Sequence, residues 1–190
     1  MEDAQPQSQG FRTEFLHELA IPQTQLLALA EDVPAESYGW RPATDARSFS
    51  EVLVHVAAGN FMLLHRAGLP LRGEIQPPEP VSGDPNLQWL AIVHQCLALE
   101  KSLTEKPCIL ELLRSSFEVV RQSFGTLSEE QLDAQSVFFG QTTTIRRFYL
   151  RILAHANEHM GQLIAYLRAM GIHAPWPDPV REMERRLQAT

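Results

Sequence analysis

The sequence predicts an all-α protein, a four-helix bundle running up-down-down-up with a long crossover between its second and third main helices. Three observations predict it. Four long segments carry apolar residues at helical spacing with polar residues opposite. No strand-type alternation persists beyond a few residues. The second and third segments are separated by roughly thirty residues, a length that suits a crossover and makes those two helices parallel, whereas short links join antiparallel neighbours.

The first helix is expected from about Phe11 to Asp32, with Phe15, Leu19 and Leu26 on its apolar stripe. Pro22 should kink or restart it, because proline removes a backbone donor. Turns follow through Pro34 and Trp40-Arg41-Pro42, then a polar loop to Arg47. The second helix opens on Ser48-Phe-Ser-Glu51, a capping box in which serine and glutamate satisfy orphan backbone donors. Val52, Val56, Gly59 and Leu63 form its stripe, and Gly68-Leu69-Pro70 ends it. The crossover is rich in proline at first and is expected to turn helical from Leu87 to Glu100. The third main helix begins near Thr104 and carries Leu113, Ser116, Val120 and Phe124, with Gly125 as a C-terminal cap. Ser128 to Gln131 predicts one helical turn. The fourth main helix follows the threonines at 142–144 and runs to Met170, where Gly171 closes it. Residues 1–10 read as a polar tail, 11–176 as the bundle, and 177–190 as a C-terminal tail or short helix.

Composition narrows the function. Sixteen basic against 23 acidic residues give a net charge of −7, so phosphate backbones find no global attraction and nucleic acid is not expected as a partner. Nothing approaches the ~18 consecutive apolar residues of a membrane span. Cys96 and Cys108 have neither metal-type spacing nor a disulfide framework, and both are expected to be buried thiols. A cytoplasmic location is expected, with a removed leader left open.

The chemistry concentrates in His155-Ala-Asn-Glu-His159. Residues four apart on a helix lie one above the other, and two imidazoles so placed can bind one metal ion. On a wheel of ~100° per residue, both histidines fall within about 60° of Ile152, on the stripe that should be buried. His55 sits in the same way on the second helix, with Gly59 one turn on to leave space for a ligand. A buried ring without a partner costs about 1–3 kcal/mol per unsatisfied group, so three inward histidines satisfy one another best through a shared divalent cation. Zinc is the first expectation, with nickel, manganese or iron able to occupy similar sites. Gln162 and Glu51 are the polar neighbours that could take part in catalysis. His17, His65, His94 and His173 read as exposed polar residues. Two rivals fare worse. His155-x-x-Glu158-His159 fits an inverted zinc-protease pattern, but Glu158 projects toward the polar flank. A di-iron carboxylate bundle needs two Glu-x-x-His motifs, and only Glu14-x-x-His17 matches.

From about Phe11 to Trp176 the chain resembles the DinB/YfiT-like superfamily of metalloenzymes. The resemblance lies in Trp40-Arg41-Pro42, Ser48-x-x-Glu51-x-x-x-His55, His155-x-x-x-His159, Gly161-Gln162, Tyr166-Leu167-Arg168 and Gly171. It implies the same bundle topology and a divalent metal held by three histidines, here His55, His155 and His159. It also implies an activity of the family's kind, such as thiol-dependent S-transfer with bacillithiol or mycothiol, or mycothiol-dependent isomerisation.

Three neutral imidazoles leave coordination positions open, as catalytic metal sites do. The expected function is therefore a metal-dependent enzyme that activates a low-molecular-weight thiol (S-transferase type) or water (hydrolase type) for a small-molecule substrate. The competing reading is a non-catalytic bundle whose metal or histidines stabilise the fold and which works through a partner or as a homodimer.

Overall fold

The computed structural model describes residues 10–69, 75, 85–177 and 179–188. Among them the elements are α1 (Phe11–Asp32), a 3-10 turn (Ala35–Ser37), α2 (Phe49–Arg66), α3 (Pro85–Ser102), α4 (Lys106–Thr126) and α5 (Glu129–Asp133). A hairpin of β1 (Gln135–Phe138) and β2 (Gln141–Thr144) follows, then α6 (Ile145–Ala169) and α7 (Pro179–Gln188).

α1, α2, α4 and α6 form the bundle. α2 packs on α4 and α6, and α1 packs on the same two, so α1 and α2 stand on opposite corners. Side-chain contacts give the directions. Phe15 near the start of α1 meets Phe124 at the end of α4 and Tyr149 at the start of α6. α1 is thus antiparallel to α4 and parallel to α6. His55 in the first half of α2 meets His155 and His159 near the middle of α6, and Tyr166 near the end of α6 donates to the carbonyl of Arg47 just ahead of α2, so those two helices are antiparallel. The order is up-down-down-up, with α2 and α4 parallel as the crossover length predicts. α3, the helical part of that crossover, lies against α2. The proline-rich residues 70–74 and 76–84 lie outside the described ones.

Local chemistry explains the element ends. The capping box is complete: Ser48 Oγ accepts from Glu51 N at 3.2 Å, and Glu51 Oε2 accepts from Ser48 N at 3.0 Å. This fixes the first turn of α2, whose residues from Phe49 to Phe61 are buried on nearly every side, His55 alone being half-buried. A second capping box, Ser128 with Gln131, starts α5. Gly171 closes α6 with φ +73°, a left-handed conformation that glycine adopts without strain.

Several expectations need correction. α1 runs through Pro22 without restarting, and Pro22 is buried within it. Gly125 does not cap α4; it sits in the last turn, and the chain leaves the helix at Leu127 in an extended conformation. α6 does start directly after the threonines at 142–144, but these form the second strand of a hairpin that was not expected. Its two-residue turn, Phe139-Gly140, has φ +47° and +77°, the signs that match the twist of paired strands. Cys108 is exposed, because it falls in the first turn of α4 on the solvent side, whereas Cys96 is buried as expected. No helix among the described residues is long and apolar enough to cross a membrane.

Candidate metal centre

α2 and α6 cross where His55 faces His155 and His159. The first half of α6 buries Phe148, Tyr149 and Ile152, and its helical period carries the same face on to both histidines. The ring centroids lie 5.0 Å (His55–His155), 4.7 Å (His55–His159) and 4.6 Å (His155–His159) apart. One nitrogen from each ring lies within 4.8 Å of the others, and the Nε2 atoms of His55 and His155 are 3.1 Å apart. All three rings are half-buried, so the cluster is reachable from solvent.

Gly59 has a different use from the one expected. A Cβ at this position would lie 2.4 Å from His155 Cε1 and 2.9 Å from its Nδ1. The missing side chain admits the His155 ring itself against the α2 backbone rather than a ligand. The glycine sets how closely the two helices bring their histidines together.

Two of the rings are tied through Nδ1. His55 Nδ1 is 2.7 Å from Glu100 Oε1, and Glu100 Oε2 accepts from Arg47 Nε at 2.7 Å. His159 Nδ1 is 2.8 Å from Gln162 Oε1, and Gln162 Nε2 donates to Tyr166 Oη at 2.7 Å. Tyr166 Oη in turn donates to the Arg47 carbonyl at 3.2 Å. His155 Nδ1 is buried and has no hydrogen-bond partner. Trp40 packs edge-on against Tyr166, which brings the Trp40-Arg41-Pro42 turn beside this network.

Burial works against a charge on His155 and His159. Burial, with the neighbouring His159, His55 and two arginines, pushes the His155 pKa from its ordinary 6.5 down to about 3. Burial also lowers His159, partly offset by its bond to Gln162. For Glu100, burial alone would raise the pKa, but the bonds from His55 and Arg47 outweigh it and hold the carboxyl below its ordinary range.

The other candidates separate cleanly. Gln162 belongs to the cluster, where it bonds His159. Glu51 does not reach it: both of its oxygens serve the capping box and ion pairs to Arg41 and Lys101. Glu158 is exposed and paired with Arg151, and among the described residues it acts on His159 only as a nearby charge, without a hydrogen bond to a ring. His17, His94 and His173 are exposed, while His65 is half-buried and bonded to the Leu69 carbonyl. Glu100 and Arg47 were not predicted. Neither lies in a helical pattern with the histidines, and the one available signal is that a charged residue ending an apolar helix, as Glu100 does, needs a partner if buried.

The three nitrogens fit a cation. Around a tetrahedral zinc, nitrogens held at ~2.0–2.1 Å lie ~3.3 Å from one another. The 3.1 Å approach of His55 and His155 is close to that spacing, and the orphaned His155 Nδ1 marks a ring placed for something other than its own hydrogen bonds. Beside the cluster lies a cavity of about 480 Å³, whose wall includes Arg47, Glu100, Lys101, Gln162 and Tyr166.

An all-helical bundle with three histidines converging from two antiparallel helices defines a class of candidate metal-binding bundles. The sequence profile of the DinB superfamily matches residues 18–163, and the chain belongs to that superfamily. Solved structures share the fold. YfiT of Bacillus subtilis, described as a probable metal-dependent hydrolase with an unusual four-helix bundle topology, is 16% identical with a TM-score of 0.63. That likeness covers 90% of this chain and 93% of YfiT. A DinB-like protein of the same organism is 21% identical with a TM-score of 0.60, over 87% of this chain and 96% of that one. The colibactin self-resistance protein ClbS, solved in complex with double-stranded DNA, is 13% identical with a TM-score of 0.56, over 80% of this chain and 92% of its own. No functionally curated protein matches the chain.

Proposed function

We propose that this protein is a divalent-metal-dependent enzyme in which His55, His155 and His159 hold the metal, with zinc the first expectation and nickel, manganese or iron as alternatives. The observation that carries the proposal is the convergence of three ring nitrogens on one point, with a burial-depressed His155 that stays unprotonated and available as a ligand at neutral pH. When bound, a divalent cation on three imidazoles lowers the pKa of a thiol or water that reaches it.

The residues around it do the rest. Glu100 and Gln162 orient two of the rings, and the adjoining cavity is within the size range of small-molecule sites. Arg47 and Lys101 on its wall supply donors for polar groups of a substrate. Among the described residues, Glu100 and Glu51 are both fully engaged and Glu158 is held by Arg151, so none of these carboxylates is free to act as a base at the rings. The reaction proposed is therefore one in which the metal generates the nucleophile: S-transfer from a low-molecular-weight thiol, or hydrolysis. YfiT's description supports a metal-dependent reaction of this class. A small molecule is the proposed partner rather than nucleic acid, because the net charge of −7 offers no general attraction for a phosphate backbone, ClbS notwithstanding.

The test is metal analysis of protein purified without an affinity tag, followed by thiol addition to the cobalt-loaded form. One equivalent of metal, absent from the His55→Ala/His155→Ala/His159→Ala variant, with a spectral shift on thiol binding, supports the proposal. A native-like protein that takes up no metal sinks it. Metal without any thiol response favours hydrolysis or a structural role.

A further inference from the structure

Two hydrogen-bond relays start from Arg47 and end on two of the three histidines, and each proton in them can be assigned. In the first, Arg47 Nε carries a hydrogen and no lone pair, so it donates to Glu100 Oε2 at 2.7 Å. A carboxylate 3% exposed and tied to a guanidinium is ionised, so its other oxygen has no hydrogen to give. His55 Nδ1 must then be the donor in the 2.7 Å bond to Oε1. In the neutral ring this leaves Nε2 as a bare lone pair.

The second relay leaves from the backbone of the same residue. A carbonyl only accepts, so Tyr166 gives its single hydrogen to the Arg47 oxygen at 3.2 Å. Tyr166 Oη is then an acceptor, and the 2.7 Å contact must come from the Gln162 Nε2 hydrogen. That orients the amide with Oε1 toward His159, whose Nδ1 donates across 2.8 Å. His159 Nε2 is bare as well.

His155 belongs to neither relay. Its Nδ1 has no partner, and its Nε2 lies 3.1 Å from the bare Nε2 of His55. Two lone pairs cannot face one another at that distance, so without a cation His155 has to carry its hydrogen on Nε2 and donate to His55. Only this ring has to change tautomer when a cation binds.

We propose that Arg47 is a positioning residue for the three-histidine centre, fixing His55 through its guanidinium and His159 through its carbonyl as Nδ1–H tautomers. Arg47 is well placed to be an anchor. It immediately precedes Ser48, whose capping box locks the first turn of α2, so carbonyl and side chain start from a fixed backbone. α3 thereby becomes part of the site, since it delivers Glu100. The consequence for metal affinity rests on the proposed function above; the tautomers themselves do not.

Long-range proton–nitrogen NMR of the metal-free full chain at about pH 8, above the ordinary histidine range, reads the tautomer of each ring. Expected are Nδ1–H for His55 and His159 and Nε2–H for His155. Glu100→Leu should release His55 alone, and Tyr166→Phe should release His159 alone by freeing the Gln162 amide to turn. Each variant should bind zinc about 10–100-fold more weakly, the usual effect of losing an outer partner of a ligand histidine. Tyr166→Phe removes one oxygen and keeps the test available if Glu100→Leu does not fold. An Nε2–H tautomer on wild-type His55 or His159 overturns the proposal, as does a variant that moves the wrong ring or neither. The expected tautomers in a chain that takes up no zinc would support the relays and refute the metal reading alone.

Discussion

The two ends of α6 sit in the same bundle and bury the same helical face, yet they are built on opposite principles. At the first end Tyr149 packs with Phe124 and Phe15, and Phe11 and Arg12 lie over Phe124. Polar groups there are tied to backbone or hydroxyl partners: Arg12 donates to the Phe124 and Leu127 carbonyls, and Tyr149 donates to Ser123 Oγ. Six residues on from Tyr149 the same face turns to histidine. The core there is a chain of donors and acceptors with one nitrogen left over, on His155. The apolar end can be satisfied by packing alone. The histidine end instead gathers three ring nitrogens at one point, and that asymmetry singles it out as the candidate site.

The comparison breaks most visibly through Phe124→Ala. Removing a fully buried aromatic should cost about 3–5 kcal/mol of stability, through lost burial and the cavity left behind. Denaturant unfolding should show this loss, while the folded variant keeps its metal affinity unchanged. A parallel fall in metal affinity would mean that the two ends are not independent.

Gly59→Ala should do the reverse. Alanine in a helix is favoured over glycine by about 1 kcal/mol, which offsets part of an overpacking cost of about 1–3 kcal/mol. The clash, at 2.4 Å, is with the His155 ring, which can swing away more easily than backbone can. Stability should therefore change little while metal affinity falls at least tenfold, as isothermal titration would show. Unaltered affinity would return Gly59 to a role in helix packing only.

These two positions also show what was legible in the sequence. The four helices and the three histidines follow from periodicity, which repeats over many turns and survives errors at any one residue, and the helix order follows from the length of the crossover. His55, His155 and His159 stood out because each interrupts an apolar stripe. Glu100 and Arg47 did not, because their meeting depends on where α3 docks across the crossover, and no period links residues 47, 55 and 100. Gly59 was visible as a gap but not as the seat of His155, since a helical wheel does not say what fills a space. The hairpin was missed because its strands are four residues long and its turn is Phe-Gly rather than the usual Asn-Gly or Asp-Gly.

Acid should distinguish the ends by a graded effect. His155 is held near pKa 3 in the folded chain against an ordinary 6.5, so the unfolded chain binds the extra proton between those values. Stability of the metal-free protein is then fully present above about pH 6.5 and is lost as pH falls toward 3. His159 adds to the loss in the same direction. Replacing His155 with Gln should flatten this part of the profile. An unchanged profile would show that the ring takes up protons in the folded chain as readily as in the unfolded one.

The smallest expected effect comes from Glu158→Gln. Its carboxylate is exposed and paired with Arg151, a surface ion pair of the kind worth about 0–1 kcal/mol. The inverted zinc-protease pattern would make this same carboxylate the general base, and its removal would then abolish hydrolysis while sparing the metal. With the carboxylate held by Arg151, the variant should retain both metal and any turnover of the wild-type chain, measured side by side. Loss of turnover with metal intact would bring Glu158 into the site and displace the view that the metal alone generates the nucleophile.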